Sequence, residues 1–194
     1  IREIFRRNHV AAGFDVVAAV EMDPVHASVH KFNFPDCAVI ARSVTDLSGD
    51  EIRQLSGIGD RKVDVVFGGA PCQGFSLIGQ RALDDPRNLL VQDFVRIVDE
   101  LQAQTFVFEN VKGLTVGRHR QFLFELIEAF ENCGYRVRRE WQVLNATDYG
   151  VPQDRQRFIL LGARGNARLP DYPARLSHKA GTTNCGSPEG PSCR

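Results

Sequence analysis

Short apolar runs alternate along this 194-residue chain with longer segments in which apolar residues recur at helical spacing. The short runs are rich in Val, Ile and Phe, which favour extended, half-buried backbone. They predict β-strands at residues 15–20, 38–42, 63–67, 105–109, 136–144 and 157–161.

The intervening segments predict helices at residues 25–32, 50–55, 88–101 and 120–133. The third of these carries one apolar stripe, formed by Leu90, Phe94, Ile97, Val98 and Leu101. Such a stripe is typical of a helix that packs on a sheet. Strands that alternate with helices indicate βαβ units, so we expect an α/β protein with a mostly parallel, twisted sheet.

The composition, 43% hydrophobic and 25% charged, is that of an ordinary globular domain. No apolar run approaches the roughly 20 residues that cross a bilayer. Towards the carboxyl end Gly, Asn, Pro, Ser and Thr dominate, and such a segment buries too little apolar surface to offset its ordering entropy. We therefore expect one folded domain over residues 1–168 and a disordered tail over residues 169–194.

Charge and cysteine content narrow the function classes further. The 24 basic residues balance 24 acidic ones, but residues 112–168 are basic on balance, and residues 1–111 are acidic. The five cysteines form no Cys-x-x-Cys pair and no zinc-ligand spacing. We expect no metal site, no membrane contact and a reducing, cytoplasmic location.

The segment after the predicted strand at 63–67 carries candidate chemistry. Gly68 and Gly69 allow a turn without a side-chain penalty, and Cys72 follows at the carboxyl end of the strand, where ligands bind in open α/β sheets. A thiol in such a loop is a candidate nucleophile. The alternative is a small apolar residue that caps a strand.

Two further elements place polar groups at strand ends. Glu109 and Asn110 follow an apolar strand, where a half-buried carboxyl group can donate a proton or a hydrogen bond near neutral pH. Arg155 and Arg157 are two residues apart, so in an extended chain both side chains point to the same side. Two guanidinium groups there suit a nucleobase carbonyl or a phosphate. For Glu109 the alternative is a helix cap or a loop salt bridge, and for the two arginines it is a solvated charged turn.

Together these elements resemble the DNA (cytosine-5) methyltransferase family of the prokaryotic restriction–modification type. The resemblance rests on Pro-Cys-Gln at residues 71–73, Glu-Asn-Val at 109–111 and Gln-x-Arg-x-Arg at 153–157, in the family's order. It covers about residues 9–168 and implies a Rossmann-like S-adenosylmethionine-dependent methyltransferase fold.

The resemblance assigns catalytic roles to four residues. Cys72 would attack C6 of a flipped-out cytosine, and C5 would then take the methyl group of S-adenosylmethionine. Glu109 would bind N3 and the exocyclic amine of the base. Arg157, with Arg155, would contact its O2 side.

It also implies the binding residues. Glu21 would accept hydrogen bonds from the cofactor's ribose hydroxyls. The expected cofactor contacts are completed by Met22, Asp46, Leu47, Pro71 and Leu90. The expected contacts to double-stranded DNA are Gln73, Ser76 and Arg81 together with Asn110, which would also help to fix its loop.

Two family features are not recognisable in this sequence. The family's first strand and glycine-rich cofactor turn would fall at about residues 1–4, which read Ile-Arg-Glu-Ile. No target-recognition domain is recognisable after residue 168. The expectation is therefore a partial catalytic domain over residues 1–168 with weak or no activity by itself, and a second chain that carries the target-recognition domain is a further expected partner.

Three alternatives stay open at this point. The chain could be a catalytically inactive remnant or a partner-dependent subunit that binds DNA or a complementary chain. An RNA-directed member of the same family would be expected to show an RNA-binding module, and the sequence offers none. A Rossmann-type oxidoreductase needs a Gly-x-Gly-x-x-Gly turn after a strand, which the sequence lacks.

Overall fold

The computed structural model describes residues 13–71, 88–117 and 119–176, and its described elements form an α/β fold. The helices are α1 (Pro24–Asn33), α2 (Gly49–Ser56), α3 (Leu89–Glu100) and α4 (His119–Asn132). The strands are β1 (Ala18–Val20), β2 (Ala38–Ile40), β3 (Val65–Gly68), β4 (Thr105–Val111), β5 (Tyr135–Val137), β6 (Gln142–Asn145) and β7 (Gln156–Arg164). The predicted α/β class and all four predicted helices are confirmed.

The strands form a mixed sheet and a separate parallel pair. In the main sheet β3 pairs in parallel with β4, and β4 pairs antiparallel with β7. Both β5 and β6 pair antiparallel with the other edge of β7. Strands β1 and β2 form a parallel pair that shares no ladder with the main sheet within the described residues. The strand β7 is therefore the element that holds the carboxyl-terminal half of the sheet together.

The prediction of one strand over residues 136–144 is wrong, because a bulge divides it. Val137 lies opposite Gly162 of β7, and Gln142 lies opposite Ile159, so residues 138–141 face only residues 160–161. The Arg138 amide still donates to the Leu161 carbonyl at 2.8 Å. Extra residues on one strand bend it away from its partner. Apolar residues occupy odd-numbered positions on both sides of the bulge, Val137 before it and Trp141 and Val143 after Arg139, which is why the sequence reads as a single strand.

The main core lies between the sheet and the helices α3 and α4. Its centre is a set of fully buried aromatic rings, and Phe106 of β4 stacks on Phe130 of α4 with 3.8 Å between ring centroids. A second cluster includes Ile40, Leu47, Ile52, Ile97 and Leu101. Residues of β1 and β3 both pack against this second cluster, so it joins the β1–β2 pair to the main sheet.

The first eight residues of the predicted tail, 169–176, pack against the domain. The Tyr172 hydroxyl donates to the Ile159 carbonyl at 2.8 Å, and burial raises its pKa to about 12. Arg138 donates to the Pro170 carbonyl at 3.0 Å, and the Leu176 amide donates to the Asp148 carbonyl at 2.9 Å. These contacts order this segment against β7 and the bulge. The rest of the predicted tail, residues 177–194, lies outside the described residues.

Over the described part of the chain, none of the helices is long and apolar enough to cross a membrane.

The β4–β7 ladder leaves no room for a side chain at Gly162. A methyl group there would lie 2.1 Å from Cε1 of Phe106, its cross-strand partner. We predict that G162A lowers the free energy of unfolding by about 1–3 kcal/mol, because overpacking forces the ring or the backbone to move. The measurement is urea denaturation followed by circular dichroism.

The matched control is G113A, since the nearest atom to an added methyl group there is 4.0 Å away. It should shift the free energy of unfolding by no more than about 0.5 kcal/mol. Equal destabilisation by the two variants would contradict the tight β4–β7 packing.

Candidate active site

Three chain segments converge on one cleft at the edge of the main sheet. The residues that line it come from the exit of β3, the carboxyl end of β4 and the start of β7. They are Gly69, Ala70, Pro71, Glu109, Asn110, Val111, Arg155 and Arg157. The structure therefore brings together the Glu-Asn motif, the two arginines and the residue that directly precedes Cys72.

An ion pair between Glu109 and Arg157 is the centre of the cleft. The Nε atom of Arg157 lies 2.6 Å from Oε1 of Glu109, and the two side chains are 25% and 17% exposed. In the antiparallel ladder Glu109 lies opposite Ile159, and Arg157 lies opposite Val111. The two residues are therefore diagonal neighbours on one face of the sheet, which is within reach of long side chains. A charge-assisted hydrogen bond in a partly buried site orients the carboxylate.

Arg155 supplies a second positive charge to the same cleft. Its side chain is half-buried, and burial together with the nearby charge of Arg157 lowers its pKa, which the Glu109 carboxylate partly offsets. Its amide donates to Oδ1 of Asn145 at 3.0 Å, and Nδ2 of Asn145 donates to Asp154 at 2.9 Å. Asn145 thus fixes the loop from which Arg155 projects. Asn145 is not among the residues predicted from the sequence, where its only signal is a side-chain amide directly before a turn.

Gly68 and Gly69, at the end of β3, are explained by the close approach of other side chains and not by a turn. Neither Gly68 nor Gly69 has a positive φ, so the expected role in a tight turn is not what the structure shows. A methyl group on Gly69 would lie 2.7 Å from Oε2 of Glu109. The absent side chain therefore makes room for the carboxylate, whose Oε1 is bound by Arg157.

Asn110 connects the ends of β3 and β4 beneath the cleft. Its side chain is buried, and Nδ2 donates to the Ala70 carbonyl at 2.9 Å. Its Oδ1 accepts from the Val111 amide at 2.8 Å. These bonds agree with the expected role in fixing the loop, while direct contact with DNA stays a prediction.

The predicted cofactor residues follow strands β1 and β2. Glu21 comes directly after β1, and its Oε1 accepts the Asp23 amide at 3.1 Å. Met22 is 70% exposed, and Asp46 is exposed in the turn after β2. The Leu47 side chain is only 2% exposed and packs in the second core cluster. A ligand contact at Leu47 would therefore come from its backbone.

Two more predicted cofactor residues, Pro71 and Leu90, are exposed. Pro71 is exposed and lines the cleft, and Leu90 is 37% exposed in the first turn of α3. Carboxylates suit ribose hydroxyls, and exposed apolar side chains suit a flat base. The chemistry of Glu21, Met22 and Asp46 together with Pro71 and Leu90 fits a nucleoside.

Four predicted site residues lie outside the described residues, namely Cys72, Gln73, Ser76 and Arg81. In the described ranges, no group of three or more His, Cys, Asp or Glu side chains could hold a metal ion.

Comparison with known proteins identifies the chain's relatives. The family model described as C-5 cytosine-specific DNA methylase matches residues 4–185. The Type II methyltransferase M.XorII of Xanthomonas oryzae pv. oryzae is 65% identical over 162 residues, which are 84% of this chain and 38% of that protein. The Type II methyltransferase M1.HphI of Haemophilus parahaemolyticus is 43% identical over 161 residues, which are 81% of this chain and 42% of that protein.

Solved structures agree with this result. A prophage-encoded DNA modification methyltransferase of E. coli has 33% sequence identity and a TM-score of 0.66, over 79% of this chain and 41% of that one. A DNMT2 of Spodoptera frugiperda has 28% identity and a TM-score of 0.57, over 79% and 44%. The chain thus spans about two fifths of these relatives, and the family match extends past the expected limit of residue 168. The resemblance and the Rossmann-like methyltransferase fold predicted from sequence are confirmed.

The buried amide of Asn110 provides a test of how the cleft is held together. We predict that N110D lowers the free energy of unfolding by about 1–3 kcal/mol at pH 8, because a carboxylate cannot donate to the Ala70 carbonyl. Burial beside a carbonyl raises the pKa of the introduced group above its value in the unfolded chain. Its protonated form can donate, so the deficit should shrink as the pH falls and grow as the pH rises.

The measurement is the urea midpoint of N110D and of the native chain between pH 5 and pH 8. A deficit that does not change with pH would contradict the proposed role of the Asn110 donor.

Proposed function

Because the chain belongs to the C-5 cytosine-specific DNA methylase family, we propose that it is the catalytic part of a DNA cytosine-5 methyltransferase of a restriction–modification system. The observation that supports this most directly is the Glu109–Arg157 pair beside Pro71, the residue that precedes Cys72. The cleft supplies a carboxyl group and two guanidinium groups, and a nucleophile follows Pro71 directly in the sequence; together these are the groups that covalent attack on a cytosine ring requires.

In this proposal Cys72 and Glu109 activate the base together. The Cys72 thiolate forms a bond from Sγ to C6 of a flipped-out cytosine, and the ring electrons move towards N3 and C5. The protonated carboxyl group of Glu109 donates its proton to N3 and accepts a hydrogen bond from the exocyclic amine, so that negative charge does not build up on the ring. When bound, S-adenosylmethionine supplies the methyl group that C5 accepts. A solvent base then takes the C5 proton, the electrons of that bond form the C5–C6 double bond, and Sγ leaves C6 as the thiolate while N3 returns its proton to Glu109.

The arginines hold the carboxylate and the base in position. Arg157 binds Oε1 of Glu109 and leaves Oε2 on the Gly69 side of the cleft. Arg155 lines the same cleft, and within the described residues its guanidinium has no ion-pair partner. It is therefore suited to the O2 side of the base.

The cofactor would be held at the strand ends next to this cleft. Glu21 would accept hydrogen bonds from the ribose hydroxyls, and Asp46 would lie next to the adenine together with the Leu47 backbone. Met22, Pro71 and Leu90 would cover the apolar faces. Gln73, Ser76, Arg81 and Asn110 are proposed DNA contacts, with duplex DNA as substrate and the cytoplasm as location.

The specific recognition of a DNA sequence belongs to groups that reach base edges in the grooves. The described residues form no separate domain for that purpose, so we propose that target recognition comes from a target-recognition domain, on a second chain or on a further part of the protein.

Covalent trapping tests the proposed chemistry. The native chain and C72S are incubated with tritiated S-adenosylmethionine and a DNA library that contains 5-fluorocytosine, and the products are run on denaturing gels. The fluorine cannot leave as a proton does, so a competent enzyme stays attached to the DNA. We expect a labelled covalent band, slow to form with this chain alone, that C72S lacks. No band from a chain that is folded by circular dichroism would favour the inactive remnant or the partner-dependent subunit.

A second variant tests the position of the carboxylate. G69A should slow trapping by about tenfold or more, because the added methyl group displaces Oε2 of Glu109 from its position 2.7 Å away. The variant G113A, which meets no atom closer than 4.0 Å, is the control. Trapping by G69A at the native rate would show that the Glu109 position in the structure is not the reactive one.

A further inference from the structure

We propose that Arg96 is a positioning residue that holds the loop of residues 44–49 in place for the cofactor. The inference rests on the proposed function, since Asp46 and Leu47 belong to that loop. Arg96 lies on α3 and follows Asp93 by one helical turn. Nothing in the sequence around residue 96 resembles a binding motif, and only the structure connects it to the site.

Arg96 binds the loop through backbone carbonyl groups at both ends of one turn. Its Nη2 donates to the Val44 carbonyl at 3.0 Å, and its Nη1 donates to the Leu47 carbonyl at 2.8 Å. Asp46 lies between these two anchor points at the end of the turn Val44–Asp46. A guanidinium group has donors in a rigid planar fork, so two bonds fix both the distance and the orientation of the turn.

Two carboxylates on the same helix fix the guanidinium in turn. Oδ1 of Asp93 accepts from Nε and Nη2 of Arg96 at 3.2 and 2.9 Å. Glu100 accepts from Nη1 at 3.3 Å, and its Oε2 also accepts the Gly49 amide at the far end of the loop. The three charged residues therefore connect α3 to the whole of the loop.

A gain in the free energy of unfolding does not by itself explain this network. The Asp93 side chain is 8% exposed, and its Oδ2 has no hydrogen-bond partner among the described residues. A buried ion pair gains little over apolar side chains of the same size, because both charges lose their hydration. The Leu47 side chain already anchors the loop in the second core cluster. What the network adds is a fixed position for the loop backbone, which is where a ligand contact at Leu47 would come from.

The chain contains a matched control for this arrangement. Arg53 of α2 donates to the Gly59 and Arg61 carbonyls at 2.8 and 2.9 Å and to the Leu101 carbonyl at 2.7 Å. It therefore fixes a loop in the same way, but the loop follows α2 and carries none of the proposed cofactor contacts. The variant R53M removes a comparable set of bonds elsewhere in the same part of the fold.

The test compares R96M, R96K and R53M with the native chain. Calorimetric titration with S-adenosylmethionine should give a Kd about tenfold higher in R96M, because loss of hydrogen bonds from a charged donor releases the loop. R96K should restore part of the affinity, and R53M should keep the native Kd. At saturating cofactor, the rate of covalent trapping in R96M should stay close to the native rate.

Amide hydrogen exchange supplies a readout that needs no ligand. R96M should accelerate exchange at residues 44–49 and leave residues 57–61 unchanged, and R53M should do the opposite. An R96M chain that keeps the native Kd, or that weakens binding no more than R53M does, would overturn the inference. A native chain that binds no S-adenosylmethionine would instead contradict the proposed function, and exchange at residues 44–49 would then show whether Arg96 holds the loop at all.

Discussion

The antiparallel pairing of β4 with β7 is the constraint on which the candidate site depends. It places Arg157 opposite Val111, so that Glu109 and Arg157 are diagonal neighbours on one face of the sheet. Nε of Arg157 and Oε1 of Glu109 lie 2.6 Å apart. The same ladder turns Phe106 and Phe108 to the other face, where they form the centre of the core. A shift of β4 by one residue along β7 would turn Glu109 towards the core and Phe106 and Phe108 away from it, and would separate Glu109 from Arg157. The packing that stabilises the fold therefore also specifies the geometry of the cleft.

Side-chain hydrogen bonds to backbone amide and carbonyl groups then fix the loops around this sheet. Asn110 binds the Ala70 carbonyl after β3, Asn145 binds the amide before β7, and Arg96 binds two carbonyls after β2. Each bond joins a regular element to a loop that carries proposed contacts to base or cofactor. Hydrogen bonds of this kind are strong only where the groups are partly shielded from water. They allow short loops without regular structure to hold ligand-binding groups in defined positions, which a loop fixed by apolar contacts alone would not do.

The sequence predicted the elements better than their connections. Periodicity located the four helices and five of the strands, because each buries one face against the core. It could not separate β5 from β6, since the apolar positions on the two sides of the bulge have the same parity. The motifs brought Glu109 and Arg157 into one hypothesis, and the structure confirms that they are neighbours. Arg96 and Asn145 could not be found in this way, because each binds backbone groups of another segment, and a bond to the backbone leaves no mark on the identity of the partner residue. For the same reason Gly69 was assigned to a turn, and only the structure shows that it makes room for Glu109.

The central claim is that Glu109 and Arg157 act as one unit in the proposed reaction. A double-mutant cycle on the rate of covalent trapping, with E109Q, R157M and the double variant, tests it most directly. If the arginine works by holding the carboxylate, the double variant should be little slower than E109Q alone, since its partner is already gone. Two effects that simply multiply would contradict the account, because they would mean that the two residues act independently and that their contact in the structure has no part in catalysis.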